Sequence, residues 1–201
     1  MFDRFLYPAI APYCAAMAKP LLRLGMSANI VTIVAFAIGM AALPLLALGQ
    51  FGWALVAIML NRLLDGVDGA MARLAGPTDR GAFLDIALDF LFYGSVPLGF
   101  ALFDPAANAL AACFLLFSFI GTGATFLAYS LIGERRGLGS RHFAGKGIIY
   151  LSGLAEGFET ILAFAAMCLW PFHFPKLAIV FAVLCVVTTI ARLIAAWRRL
   201  A

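Results

Sequence analysis

The chain has 201 residues, 65% of them hydrophobic and 12% charged, with a mean hydropathy of +1.03 and a formal net charge of +4. Apolar runs of about 20 residues place it among helical membrane proteins and leave no room for a soluble domain. The positive charge has no aromatic-basic interleaving on a soluble surface, so it reads as a topology signal and an attraction to anionic headgroups, not as a nucleic-acid footprint.

In chain order, Phe2, Phe5, Leu6, Ile10, Tyr13, Met17 and Leu21 approximate one helical face. Residues 1–24 are therefore expected to lie on the membrane as an interfacial segment, broken at Pro8 and Pro12. Asp3 and the two prolines argue against a signal peptide. Residues 25–201 then form one membrane domain with six expected spans: Ala28–Leu48, Phe51–Ala72, Gly81–Phe103, Ala106–Ile132, Gly147–Leu169 and Lys176–Trp197. The fold class expected is an all-α integral membrane protein with six transmembrane helices. Arg4, Lys19, Arg23, Arg62, Arg73, Arg80, Arg135, Arg136, Arg141, Lys146, Arg198 and Arg199 fall toward one side, and Lys176 toward the other. By the positive-inside rule both termini are cytoplasmic, as in a bacterial inner membrane. Cys14, Cys113, Cys168 and Cys185 have no CxxC spacing and read as small apolar residues in helices.

Four acids, Asp65, Asp68, Asp85 and Asp89, sit inside or beside the apolar runs. Each would cost about 2.5 to 3.5 kcal/mol at the centre of a spanning helix if uncompensated. Residues three, four, seven and eight apart share a helical face, so Asp65, Asp68, Ala72 and Arg73 line one helix and Gly81, Asp85 and Asp89 the next. Gly76 and Pro77 mark the turn that runs the second helix back against the first. Hard carboxylate ligands in that number suit Mg²⁺ or Mn²⁺, and two ions about 3.5 to 4 Å apart would clamp a phosphoryl displacement. Gly69, Ala72 and Gly81 let a bulky ligand approach the backbone, and Arg73 offers a planar fork to phosphate. The competing reading, small residues that pack helices and acids that pair with Arg62 and Arg73, leaves Asp85 and Asp89 without a base on their own helix.

These residues, DGVDGAMAR followed by GAFLDIALD, resemble the signature of the CDP-alcohol phosphotransferases, DxxDGxxAR and GxxxDxxxD. The gap between Arg73 and Gly81 is seven residues here, where the family usually has eight. Because the loss falls in the turn, it need not rotate the Asp faces. The resemblance implies a phosphatidyltransferase that uses CDP-diacylglycerol and a small polar alcohol and releases CMP. It further implies that Asp65, Asp68 and Asp85 bind metal, with Asp89 completing the site and acting as general base, and that Gly69, Ala72, Arg73 and Gly81 cradle the nucleotide. The segment SANIVT at 27–32 resembles the family's PNxxT, which would bring Asn29 and Thr32 to the nucleotide. Membrane lipids and a second copy of the chain are the further partners considered.

For the acceptor, glycerol 3-phosphate leads, with inositol phosphate, serine, choline or a lipid alcohol as alternatives. Glu156 and Glu159 lie three apart in the fifth expected span, where an acid defaults to function. They are candidates for acceptor hydroxyls or for pairing with Arg192. Arg135, Arg136, Arg141 and Lys146 are candidates for an acceptor phosphate. A membrane prenyltransferase would need a different Asp motif and a larger bundle. A divalent-cation carrier would explain the acids but not Gly69, Ala72, Arg73 and Gly81 together.

Overall fold

The computed structural model describes residues 3–136 and 155–200, and these are almost wholly helical. The helices are α1 (Asp3–Arg23), α2 (Ala28–Met40), α3 (Ala42–Ala47), α4 (Phe51–Ala75), α5 (Asp79–Phe103), α6 (Pro105–Arg135), α7 (Gly157–Leu169) and α8 (Phe174–Leu200), with a 3-10 turn at Pro171–His173 before the last. Their starts follow local chemistry. Ser27, Thr78 and Asp104 each accept a hydrogen bond from the backbone three residues on, at Ile30, Gly81 and Ala107. Pro105 occupies the first turn of α6, where its missing N–H costs nothing. At the other end of α4, Gly76 takes φ +98°, a left-handed conformation that ends the helix and reverses the chain into α5.

Four stretches among the described residues are long and apolar enough to cross a membrane: Ala28–Ala47, Asp79–Phe103, Pro105–Arg135 and Pro171–Leu200. The protein is therefore an all-α, multi-pass membrane protein, but the expected count of six spans is corrected to four. The second expected span fails on polarity. At 25 residues α4 is long enough, but Arg62, Asp65, Asp68 and Arg73 crowd its C-terminal half. The fifth fails on length, because α7 begins only at Gly157 and has 13 residues, about 20 Å of helix; residues 147–154 of that expected span lie outside the described residues. The N-terminal segment also differs from expectation: α1 runs unbroken past Pro8, Pro12 and Pro20.

Between helices in lipid, close packing and small residues replace the aqueous hydrophobic drive. The larger core gathers Phe92 and Phe100 of α5, Phe164 of α7, Phe174 of α8 and Leu46 of α3, all fully buried. Phe100 and Phe174 stack at 4.3 Å between ring centroids. A smaller core joins Cys14 and Ala18 of α1, Val31 of α2 and Val67, Ala70 and Met71 of α4. It covers one side of α4 and turns the helix's acidic side toward α2 and α5. Gly39 lets α2 approach closely, since a Cβ there would stand 2.8 Å from both Asn61 and Phe92.

Candidate metal centre

The hairpin of α4 and α5 brings Asp65, Asp68 and Asp85 together: one carboxylate oxygen from each lies within 4.8 Å of the others. Asp68 is 4% exposed, and its Oδ2 has no hydrogen-bond partner among the described residues. A buried carboxylate oxygen left unpaired costs several kcal/mol unless something positive meets it. Three convergent carboxylates with such an orphaned atom fit a hard divalent cation, which takes oxygen ligands. Thr32 of α2 stands within hydrogen-bonding reach of Asp68, while its hydroxyl also lies 3.0 Å from the Ala28 carbonyl. The partly open cleft among these side chains has a volume of about 10 Å³, room on the order of one water molecule.

Asp89 lines the same cavity but is engaged differently. Arg62 Nη2 donates to Asp89 Oδ1 at 2.7 Å, and Arg62 Nη1 lies 3.7 Å from Asp65 Oδ2. The guanidinium also donates to the Tyr93 hydroxyl at 3.1 Å and to Asn61 Oδ1 at 2.7 Å, and it lies over the Phe92 ring at 4.7 Å. Asn61 in turn donates to the Ala35 carbonyl at 2.9 Å. Arg62 is the residue that sequence reasoning missed as part of the site. Its helical spacing pointed to Asp65, three residues on, whereas the shorter contact crosses to α5.

The other candidates divide into those near the cluster and those elsewhere. Arg73 folds back over Gly69, whose Cβ would meet the guanidinium at 3.2 Å. Gly81 faces Asn29, with the amide oxygen 3.0 Å from where a Cβ would stand, and its N–H is capped by Thr78 at 3.1 Å. Ala72 is half-buried on α4. Arg135 and Arg136 are exposed at the end of α6, where Arg136 donates to the Leu200 carbonyl of α8. Arg141 and Lys146 lie outside the described residues. Glu156 and Glu159 are not in mid-helix. They form a reciprocal capping box at the start of α7, with Glu156 Oε accepting from the Glu159 backbone and Glu159 Oε2 accepting from the Glu156 N–H at 3.2 Å. Arg192 of α8 is 6% exposed, donates to the Thr122 carbonyl of α6 at 3.1 Å, and has an Nε without a hydrogen-bond partner among the described residues.

Residues 26–191 match the family model described as CDP-alcohol phosphatidyltransferase. The chain is 50% identical to the inner membrane protein YnjF of Escherichia coli over 192 residues, 96% of this chain and 93% of that one. A phosphatidylinositol phosphate synthase of Streptomyces avermitilis is 44% identical over 84 residues, 41% of this chain and 34% of its own length. In fold, the chain is similar to the crystal structure of the Mycobacterium tuberculosis phosphatidylinositol phosphate synthase with CDP-DAG bound. The TM-score is 0.73 at 24% identity, over 92% of this chain and 93% of that one. With its motif residues gathered on α4 and α5 and the family model covering residues 26–191, the chain belongs to the CDP-alcohol phosphatidyltransferase family.

Proposed function

We propose that the protein transfers the phosphatidyl group of CDP-diacylglycerol to a phosphate-bearing polar alcohol, inositol phosphate ahead of glycerol 3-phosphate, and releases CMP. The observation that carries the phosphoryl-transfer reading is the convergence of Asp65, Asp68 and Asp85 around an unpaired, buried Asp68 oxygen. Mg²⁺ or Mn²⁺ held by these carboxylates would neutralise pyrophosphate charge and polarise the phosphoryl oxygen. Arg73, folded over Gly69, is assigned to the donor's phosphate oxygens, and Gly81 with Asn29 to the nucleotide. The acceptor hydroxyl oxygen forms the new bond to phosphorus, the bond to the CMP oxygen breaks, and Asp89 takes the hydroxyl proton. The donor assignment is supported by the family and by a fold that in the M. tuberculosis synthase holds CDP-DAG.

A phosphate on the acceptor is supported by Arg192, a buried guanidinium with an orphaned Nε. It donates to the Thr122 carbonyl of α6, and the next residue, Gly123, stands against the ring of Phe90 on α5. Inositol phosphate is preferred because the relatives include phosphatidylinositol phosphate synthases, matched over 84 and 85 residues. The cavity is assigned to the cytoplasmic side, since Arg73 and Arg80 flank the α4–α5 turn and Arg135, Arg136, Arg198 and Arg199 cluster where α6 and α8 end together.

The test is CMP release by the detergent-purified full chain supplied with CDP-diacylglycerol, Mn²⁺ and a panel of labelled acceptors. Inositol phosphate should give the largest kcat/KM. Arg192→Gln should raise its KM about tenfold or more, with the donor KM little changed, because a charge-assisted hydrogen bond to phosphate is lost. Turnover with serine or choline but not with phosphorylated alcohols would refute the acceptor. Chelator-insensitive CMP release would refute the metal site.

A further inference from the structure

Arg192 of α8 is a buried cation with no carboxylate paired to it among the described residues, yet its guanidinium is anchored on one side by the Thr122 carbonyl of α6 at 3.1 Å. We propose that Gly121 is the positioning residue that makes this anchor possible, so that the rest of the fork is held ready for one phosphate group or similar anion. That the anion is the acceptor's phosphate rests on the function proposed above; the role of Gly121 does not.

α6 and α8 run in parallel, with Arg136 against Leu200 where they end. A side chain of one helix reaches a main-chain carbonyl of another only where the two backbones come close, which small residues allow. At Gly121 that closeness is near its limit: a Cβ there would stand 3.1 Å from Thr189 Oγ1 and 3.2 Å from Thr189 Cγ2, so a side chain would push the neighbour away by a few tenths of an ångström. Thr189 does not swing aside freely, because its branched side chain is stiff and its hydroxyl donates to the Cys185 carbonyl at 2.9 Å. Arg192 lies three residues along α8 from Thr189 and shares its face, and the carbonyl it uses belongs to the residue after Gly121. At 3.1 Å that bond is already toward the long end of the N–H···O range, so the same displacement breaks it. Close approach through a glycine would by itself mean only packing. What points to a ligand is the guanidinium aimed into the seam, 6% exposed, with an Nε that has no hydrogen-bond partner among the described residues. A buried charge in that condition is costly until an anion meets it. The hydroxyl one turn before it on α8 is already committed: Thr188 accepts from the Ala155 N–H and donates to the Leu184 carbonyl, both at 2.9 Å.

The experiment is calorimetric titration of the full chain in detergent with inorganic phosphate, in chelator so that no ion on the carboxylates attracts the anion. Arg192→Gln should weaken binding about tenfold or more. Gly121→Ala should weaken it about threefold to tenfold, the worth of one hydrogen bond. The double variant Gly121→Ala/Thr189→Ala, which removes the two atoms the new Cβ would meet, should return to within about twofold of wild type. In an Arg192→Gln background Gly121→Ala should add less than about twofold, because it acts through that residue. In the CMP-release assay Gly121→Ala should raise the KM of a phosphate-bearing acceptor by the same factor, with kcat and the donor KM little changed. The inference is overturned if wild type binds no phosphate, if Arg192→Gln binds it as well as wild type, if Thr189→Ala fails to rescue Gly121→Ala, or if Gly121→Ala costs as much in the Arg192→Gln background as alone. Should Gly121→Ala fail to fold, Thr189→Ile, which adds a carbon at the same contact from the α8 side, takes its place. Phosphate binding in the expected order without CMP release would sink the proposed function and leave the role of Gly121 intact.

Discussion

Asp68→Asn should stabilise the metal-free protein while abolishing its activity, and that opposition of signs is a stringent test of the cluster. Asp68 is 4% exposed, has an orphaned Oδ2, and faces two further carboxylates with oxygens within 4.8 Å. At an effective dielectric of about 20, two full charges about 5 Å apart repel by roughly 3 kcal/mol. Asp85 is exposed and Asp65 half-buried, so water screens much of this. Removing the charge then relieves about 2 kcal/mol once partial desolvation of the carboxylate is included. For a chain of this size that corresponds to roughly 4–8 °C in Tm. Mn²⁺ at about 100 times its Kd should stabilise wild type by about 2.7 kcal/mol and the variant by far less, so the order of melting reverses on adding the ion. CMP release should fall by at least about 100-fold, since a bound ion contributes several kcal/mol to transition-state stabilisation. Melts by intrinsic fluorescence in chelator and in Mn²⁺, run beside the activity assay, give all three readouts. A variant that melts lower than wild type in chelator and is still raised by Mn²⁺ would show that Asp68 is neither strained nor a ligand.

Thr32→Val, which removes the hydroxyl beside Asp68 while keeping its volume, should lower Mn²⁺ affinity about threefold to tenfold with little change in chelator Tm; isothermal titration measures the first and a melt the second. Gly39→Ala should cost about 1–3 kcal/mol, because its Cβ would stand 2.8 Å from Asn61 and Phe92. Equal Tm values for Gly39→Ala and wild type would mean that α2 and α4 are less closely packed than described. Glu159→Ala should cost about 0.5–2 kcal/mol through loss of the capping box, with acceptor KM unchanged. A rise in acceptor KM at unchanged Tm would return Glu159 to the acceptor site.

The acidic cluster was legible in the sequence because its information is local. Spacings of three and four residues fix which side chains share a helical face, and Gly76 and Pro77 mark where the chain turns back. Of the seven residues between Arg73 and Gly81, Gly76, Pro77 and Thr78 lie between the helices, since α4 ends at Ala75 and α5 begins at Asp79. What was not legible depends on neighbours that spacing cannot reveal. The Arg62–Asp89 pair joins residues 27 positions apart, and no helical periodicity relates them. Nor does hydropathy register a helix start. Averaged over Gly147–Leu169, Glu156 and Glu159 look like acids deep in a span, whereas the backbone uses them to begin α7.

The span count failed for a reason tied to the site itself. The residues that make α4 chemically useful, Arg62, Asp65, Asp68 and Arg73, are the ones that leave it too polar to count among the four apolar helices. Such a helix is tolerable only where its charges face protein or a polar cavity instead of lipid. Over its middle turns α4 meets that condition, since it packs against α1, α2, α3 and α7, with Asp68 and Asn61 buried and Arg62 engaged by α5, while Arg73 is exposed in its last turn. The apolar helices hold the bundle in the membrane. That arrangement lets one helix among them be built from charged residues.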